Sequence, residues 1–171
     1  MTKVWQMSKI NTDTQFTVRG KRPRRPVTLL RGPILIVDDN ADDAKLTERV
    51  FLQLNSKLPI TVLSSGLDLV AHLEKHGKGA SSSIADSADV SGFVPSAILL
   101  DMSMPGMDGF SVLEWCAKQP KFANIPVIVL TNFNDLPHMK QAYALGARSY
   151  LLKPIDQNAL RSVLSSLSIS V

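Results

Sequence analysis

The 171-residue sequence predicts an α/β fold, a (βα)5 arrangement with a doubly wound parallel sheet and helices on both of its faces. Three observations carry this. Five short apolar runs, at 34–37, 60–63, 97–101, 126–130 and 149–152, alternate with segments of helical periodicity. The runs are apolar at nearly every position, as strands buried on both faces are, rather than alternating apolar with polar. Four of them end abruptly on polar residues: Asp38-Asp39, Asp101, Thr131 and Lys153.

The elements follow in order from residue 33. Ile34-Leu35-Ile36-Val37 is the first strand, and Asp38-Asp39-Asn40 halts it. Residues 41–55 are predicted helical, with Leu46, Val50 and Leu54 inward and Asp42 and Asp43 in the first turn, where the helix dipole favours acids. Ile60 to Leu63 is the second strand. Gly66 to His76 is the second helix, with Leu69, Val70 and Leu73 inward. Residues 77–96, rich in Gly, Ala and Ser, form a loop longer than the roughly 2–6 residues usual between such elements. Only Ile84, Val90, Phe93 and Val94 could anchor it, so it is expected to be mobile.

Ala97 to Asp101 is the third strand. The turn Pro105-Gly106 follows, then a helix from Asp108 to about Lys118 with Phe110, Leu113 and Ala117 at helical spacing. The fourth strand reaches Leu130 and ends on Thr131. The fourth helix spans about Asp135 to Leu145, with Gly146 as its stop. Ser149 to Leu152 is the fifth strand, ending on Lys153-Pro154. Asp156 caps a last helix that packs through Leu160, Val163, Leu164 and Leu167. Few residues follow, and no second domain is expected there.

Composition bounds the function. A hydrophobic fraction of 44% fits an ordinary globular domain, and no apolar run approaches the roughly 20 residues that span a bilayer. The single cysteine excludes an internal disulfide framework and any multi-cysteine metal site. Cys116 lies on an apolar helical stretch and reads as a small buried hydrophobe, compatible with a reducing, cytoplasmic setting. The net charge of +4 is uneven: residues 1–32 carry eight Lys/Arg against Asp13 alone, whereas residues 33–171 carry eleven against fourteen acids. The basic excess therefore belongs to an N-terminal arm ending in Lys21-Arg22-Pro23-Arg24-Arg25-Pro26. That arm shows no sustained periodicity and is expected to be mostly disordered. Its cluster could touch nucleic acid, an anionic membrane or an acidic partner, but a solvated tail is the simpler reading.

Right-handed crossovers bring the C-terminal ends of all parallel strands to one edge. In this register that edge gathers Asp38, Asp39, Asp101, Thr131 and Lys153. Carboxylates held close repel one another, so they bind protons more tightly or acquire a cation. An all-oxygen set favours a hard ion, Mg²⁺ before Zn²⁺. A carboxylate beside such an ion and an ammonium can attack a phosphoryl group and form an acyl phosphate. The Thr131 hydroxyl could bond a phosphoryl oxygen. A phosphate-cradling Gly-rich P-loop is lacking, so no bound nucleotide is implied.

Ile34 to Asp39, then Asp101 with Met104-Pro105-Gly106-Met107-Asp108-Gly109, then Thr131, then Tyr150-Leu151-Leu152-Lys153-Pro154 resembles the receiver domain of two-component response regulators across about residues 33–167. The resemblance implies a flavodoxin-like sheet of strand order 2-1-3-4-5. It implies that Asp101 accepts a phosphoryl group from a phosphohistidine on a sensor histidine kinase or histidine phosphotransfer protein. Mg²⁺ would be held by Asp39 and Asp101, by Asp38 through water, and by the backbone carbonyl of Ser103. Lys153 would pair with the phosphoaspartate, with its bond to Pro154 cis. Thr131 and Tyr150 resemble the switch pair that reports to the surface of the fourth helix, fifth strand and fifth helix, a face that could also serve a homodimer. The module is then a switch and not an enzyme, beyond its own Mg²⁺-dependent phosphorylation and dephosphorylation.

Two departures stand out. Asn132 follows Thr131 where a small residue is usual, and the 77–96 loop is long, as in single-domain regulators resembling those paired with phytochrome-type kinases. Two rival functions have sequence signatures of their own. An aspartyl-phosphate phosphatase of the haloacid-dehalogenase kind would carry a second Asp two residues after the nucleophile, where this chain has Ser103. A nucleic-acid-binding regulator would act through residues 1–32.

Overall fold

A computed structural model describes residues 7–9, 16–18, 32–55, 57, 59–77, 94–132 and 134–169. In chain order the elements are β1 (Met7–Lys9), β2 (Phe16–Val18), β3 (Ile34–Val37), α1 (Ala41–Leu54), β4 (Ile60–Leu63), α2 (Gly66–Gly77), β5 (Ala97–Asp101), α3 (Gly109–Lys118), β6 (Val127–Thr131), α4 (Leu136–Ala144), β7 (Ser149–Leu152) and α5 (Gln157–Ser166). The sheet order is β1-β2-β7-β6-β5-β3-β4. Strands β3 to β7 are mutually parallel, and among themselves they have the expected 2-1-3-4-5 order.

Alternation along each strand divides the interior into two layers, because successive side chains leave opposite faces of a sheet. Leu35, Val37, Ile98, Leu100, Val127 and Val129 pack with Leu69, Leu113 and Met139 of α2, α3 and α4. Ile34, Ile36, Leu99, Ile128, Leu130 and Leu151 pack with Phe51 of α1 and Leu160, Val163 and Leu164 of α5. Strands β3, β5, β6 and β7 are thus covered on both sides, which is why they read as continuous apolar runs, whereas edge strand β4 is only partly covered, with Val62 43% exposed.

The caps are supplied locally. Asn40, Asp108, Asp135 and Asp156 each accept a backbone N–H from the first turn of the helix that follows. At the end of α4, Gly146 has φ +106° and the Gly146 and Ala147 N–H groups donate to the Tyr143 and Ala142 carbonyls, a Schellman stop.

Three expectations change. The inward face of α1 is Ala44, Thr47 and Phe51, while Leu46 is 53% exposed and Val50 and Leu54 are half-buried flanks. Two apolar stripes compete on this helix, and the one carrying the largest side chain, Phe51, faces the sheet. In α3 the buried positions are Val112, Leu113 and Cys116, with Ala117 exposed and Phe110 partly buried.

The N-terminal arm, expected to be mostly disordered, contributes six residues to the sheet. β1 pairs antiparallel with β2, and β2 with β7 through Phe16 opposite Tyr150. Without it β7 would be an edge strand with unpaired backbone groups, and Phe16-Thr17-Val18 has strand-forming residue types in a run too short to show a period. The basic cluster at 21–26, and Ile84, Val90 and Phe93 of the long loop, lie outside the described residues. Val94 is 51% exposed.

Candidate functional site

The polar strand endings meet at the C-terminal edge of the parallel strands. Val37 lies opposite Leu100, so the residues that follow them, Asp38 and Asp101, emerge side by side. Thr131 ends β6 opposite Leu152, and Lys153 comes next, its backbone N–H donating to the Thr131 carbonyl at 2.8 Å. Asp38, Asp101 and Thr131 are buried, and Asp39 is exposed. The Lys153–Pro154 peptide is cis, as the resemblance implied.

Lys153 joins the acids. Its Nζ lies 2.7 Å from Asp38 Oδ2, 3.0 Å from Asp101 Oδ1 and 3.1 Å from Asp43 Oδ2. The second oxygens are also held: Asp38 Oδ1 accepts from the Asn40 N–H at 3.0 Å, and Asp101 Oδ2 from the Ser103 N–H at 3.2 Å. Asp38, Asp39 and Asp101 each offer a carboxylate oxygen, all within 4.8 Å of one another. No His or Cys belongs to this group, so the donor set is all-oxygen and fits a hard divalent cation.

Burial pushes the Asp38 carboxyl above its ordinary range, against the opposing pull of Lys153 and the Asn40 N–H. Burial alone would lower Lys153, but its bonds to Asp38 and Asp101 outweigh it and hold the ammonium above its usual range. Both shifts favour the protonated form.

Tyr150 is 3% exposed, and its hydroxyl shares a hydrogen bond with the Thr131 side chain. Thr131 and Tyr150 stand on neighbouring strands, on the face covered by α3 and α4. Asn132 is exposed beside them. Gly109, the first residue of α3, is pressed against the site: a Cβ there would come within 2.7 Å of the Asp101 carbonyl oxygen and 2.6 Å of Met102 Sδ.

The residues expected at the edge are brought there, namely Asp38, Asp39, Asp101, Thr131 and Lys153; Tyr150 lies within β7 opposite Val129, and Ser103 reaches Asp101 through its N–H. The sequence marks Asp43 only as a helix-dipole partner, yet its carboxylate touches Lys153. The missed signal was its capping register. Asn40 is the N-cap, which makes Asp43 the third helical residue, and side chains there lean back toward the helix N-terminus and the sheet edge.

A doubly wound parallel sheet whose C-terminal edge carries an acidic cluster and a buried lysine defines a phosphoryl-switch class of α/β domain. A family model described as the response regulator receiver domain matches residues 34–165, and the chain belongs to that family. Receiver domains of two-component response regulators accept a phosphoryl group on an aspartate and in general bind Mg²⁺; they are signalling modules rather than enzymes in the usual sense.

Two curated relatives are response regulators of Arabidopsis thaliana. The two-component response regulator ARR7 is 30% identical over 122 residues, 71% of this chain and 55% of that protein. The two-component response regulator ARR5 is 30% identical over 134 residues, 78% of this chain and 69% of that one. The chain thus spans about half the length of the first of these. Among solved structures, the bacteriophytochrome response regulator AtBRR aligns with a TM-score of 0.64 and 25% identity, covering 80% of this chain and 92% of its own. No helix among the described residues is long and apolar enough to cross a membrane.

Proposed function

We propose that Asp101 is the phosphoryl acceptor. The observation that carries this is the placement of its buried carboxylate 3.0 Å from the Lys153 ammonium and within the all-oxygen trio with Asp38 and Asp39. A carboxylate oxygen of Asp101 attacks the phosphorus of a phosphohistidine; the P–N bond breaks, a P–O bond forms, and the imidazole leaves with the electron pair. The donor is a sensor histidine kinase or a histidine phosphotransfer protein. Asp38, Asp39, Asp101 and the Ser103 carbonyl would hold Mg²⁺, which when bound neutralises phosphoryl oxygen charge. Lys153 supplies the second positive charge to the phosphoaspartate.

The output is a changed protein–protein contact. Thr131 and Tyr150 are the pair through which the added charge reaches the surface of α4, β7 and α5, the face for a partner or a second copy. The setting is cytoplasmic.

Incubation with acetyl phosphate and Mg²⁺, followed by intact mass analysis, should add one phosphoryl group. Asp101→Asn or chelation of the metal should abolish it. A wild-type chain left unmodified by both acetyl phosphate and a phosphorylated histidine phosphotransfer protein would overturn the assignment. Mg²⁺ alone should raise the unfolding temperature, because it relieves repulsion present only in the folded pocket.

A further inference from the structure

Lys153 has three N–H donors and sits among three carboxylates, those of Asp38, Asp101 and Asp43. Two of these have other claims on them. Asp38 and Asp101 belong to the oxygen trio that suits a divalent cation, and Asp101 is the proposed acceptor. Asp43 is outside that trio. Its carboxylate is 33% exposed, whereas the side chains of Lys153, Asp38 and Asp101 are 7%, 0% and 5% exposed. It is therefore the one partner of Lys153 that neither a bound ion nor a phosphoryl group would take away.

We infer that Asp43 is a positioning residue for Lys153: it tethers the ammonium on the α1 side while Asp38 and Asp101 turn to the ion and the phosphoryl group. A lysine stem has four flexible carbons, so an ion-independent restraint decides where its charge is held. Without Asp43 the ammonium leans wholly on Asp38 and Asp101 and competes with the cation for their oxygens. The consequence for Mg²⁺ rests on the metal reading proposed above, but the restraint on Lys153 does not.

Two measurements on the full chain separate these. Nitrogen-15 NMR of lysine ammonium groups, recorded without metal, reports whether a given Nζ is shielded from exchange with water. Wild type should show a protected Lys153 signal, identified by its loss in Lys153→Arg. Asp43→Asn should lose or broaden it. Asp42→Asn, which removes the same charge from an exposed position in the same helical turn, should keep it. Titration with Mg²⁺ should then show the dissociation constant rise about tenfold in Asp43→Asn, and far less in Asp42→Asn.

A protected Lys153 signal that survives Asp43→Asn, or one lost equally in Asp42→Asn, would overturn the inference. Failure of the wild-type chain to bind Mg²⁺ at all would instead overturn the metal reading and leave the ammonium result to decide on Asp43. A cooperative thermal transition in each variant confirms that the fold is intact.

Discussion

The Tyr150 hydroxyl and the Thr131 side chain are hydrogen-bonded across adjacent parallel strands, with the tyrosine ring almost wholly buried. The bond joins the last residue of β6 to β7, the strand that β2 pairs on its other side. Tyr150→Phe keeps the ring and removes only the hydroxyl, so it should cost about 1 kcal/mol, and Thr131→Val a similar amount. Combined, the two should cost less than their sum by about 0.5–1.5 kcal/mol in a double-mutant cycle read from urea unfolding. Strict additivity would mean that the contact carries no energy.

The two tyrosines also set an alkaline limit. Burial, with Tyr150 nearby, pushes the Tyr143 phenol up to about 12, and burial raises Tyr150 as well. Both favour the neutral phenol in the fold, so their contribution is fully present below pH 10. It is lost as the pH rises from 10 through about 12, where Tyr143 ionises. An ultraviolet titration of tyrosinate should show the folded chain ionising above the midpoint of about 10 seen in urea. Coincident curves would refute the burial argument.

Gly109 lets α3 start against the backbone at the end of β5. A methyl group there meets the Asp101 carbonyl oxygen and Met102 Sδ at distances no real Cβ tolerates. Gly109→Ala should therefore lower stability by about 1–3 kcal/mol and, by displacing Asp101, slow phosphorylation by acetyl phosphate. Wild-type kinetics in this variant would show that the helix can retreat without moving the site.

Two helix ends offer a paired test. α5 closes as α4 does, with the Ser168 and Ile169 N–H groups donating to the Ser165 and Leu164 carbonyls, but its left-handed residue is Ser168, φ +60°, instead of a glycine. Ser168→Gly should stabilise the chain by up to about 1 kcal/mol, and Gly146→Ala should destabilise it by a similar amount. A Cβ at Gly146 meets nothing within 4 Å, so that loss would be purely conformational. Midpoints of urea unfolding check both signs.

Burial pushes the Cys116 thiol up to about 11. A thiol reagent at pH 8 should therefore leave the folded chain unlabelled and react at once in denaturant. Labelling of the native chain at the rate of a free thiol would contradict its place in the core.

The reading from sequence succeeded where the signal is local. The central strands announce themselves as apolar runs because both of their faces are covered, and Asp156 and Gly146 mark helix boundaries through short-range hydrogen bonds. It failed where two local patterns were nearly equivalent. Leu46, Val50 and Leu54 form as regular a stripe as Ala44, Thr47 and Phe51, and packing against β3 and α5 alone decides which turns inward. It failed also at Phe16-Thr17-Val18, where three residues are too few for a period.

From the sequence alone came the order of βα units and the expectation that Asp38, Asp39, Asp101, Thr131 and Lys153 share one edge, because parallel strands joined by right-handed crossovers leave no other place for their ends. Tertiary structure decided what those ends touch. Asp43 and Lys153 are 110 residues apart along the chain, and no pattern of spacing relates them. They meet because the cap at Asn40 fixes where α1 begins and the register of β3, β5, β6 and β7 fixes where Lys153 emerges. Contacts between distant residues depend on angles and offsets that accumulate through packing, and those are written in the assembled core and not in any one segment.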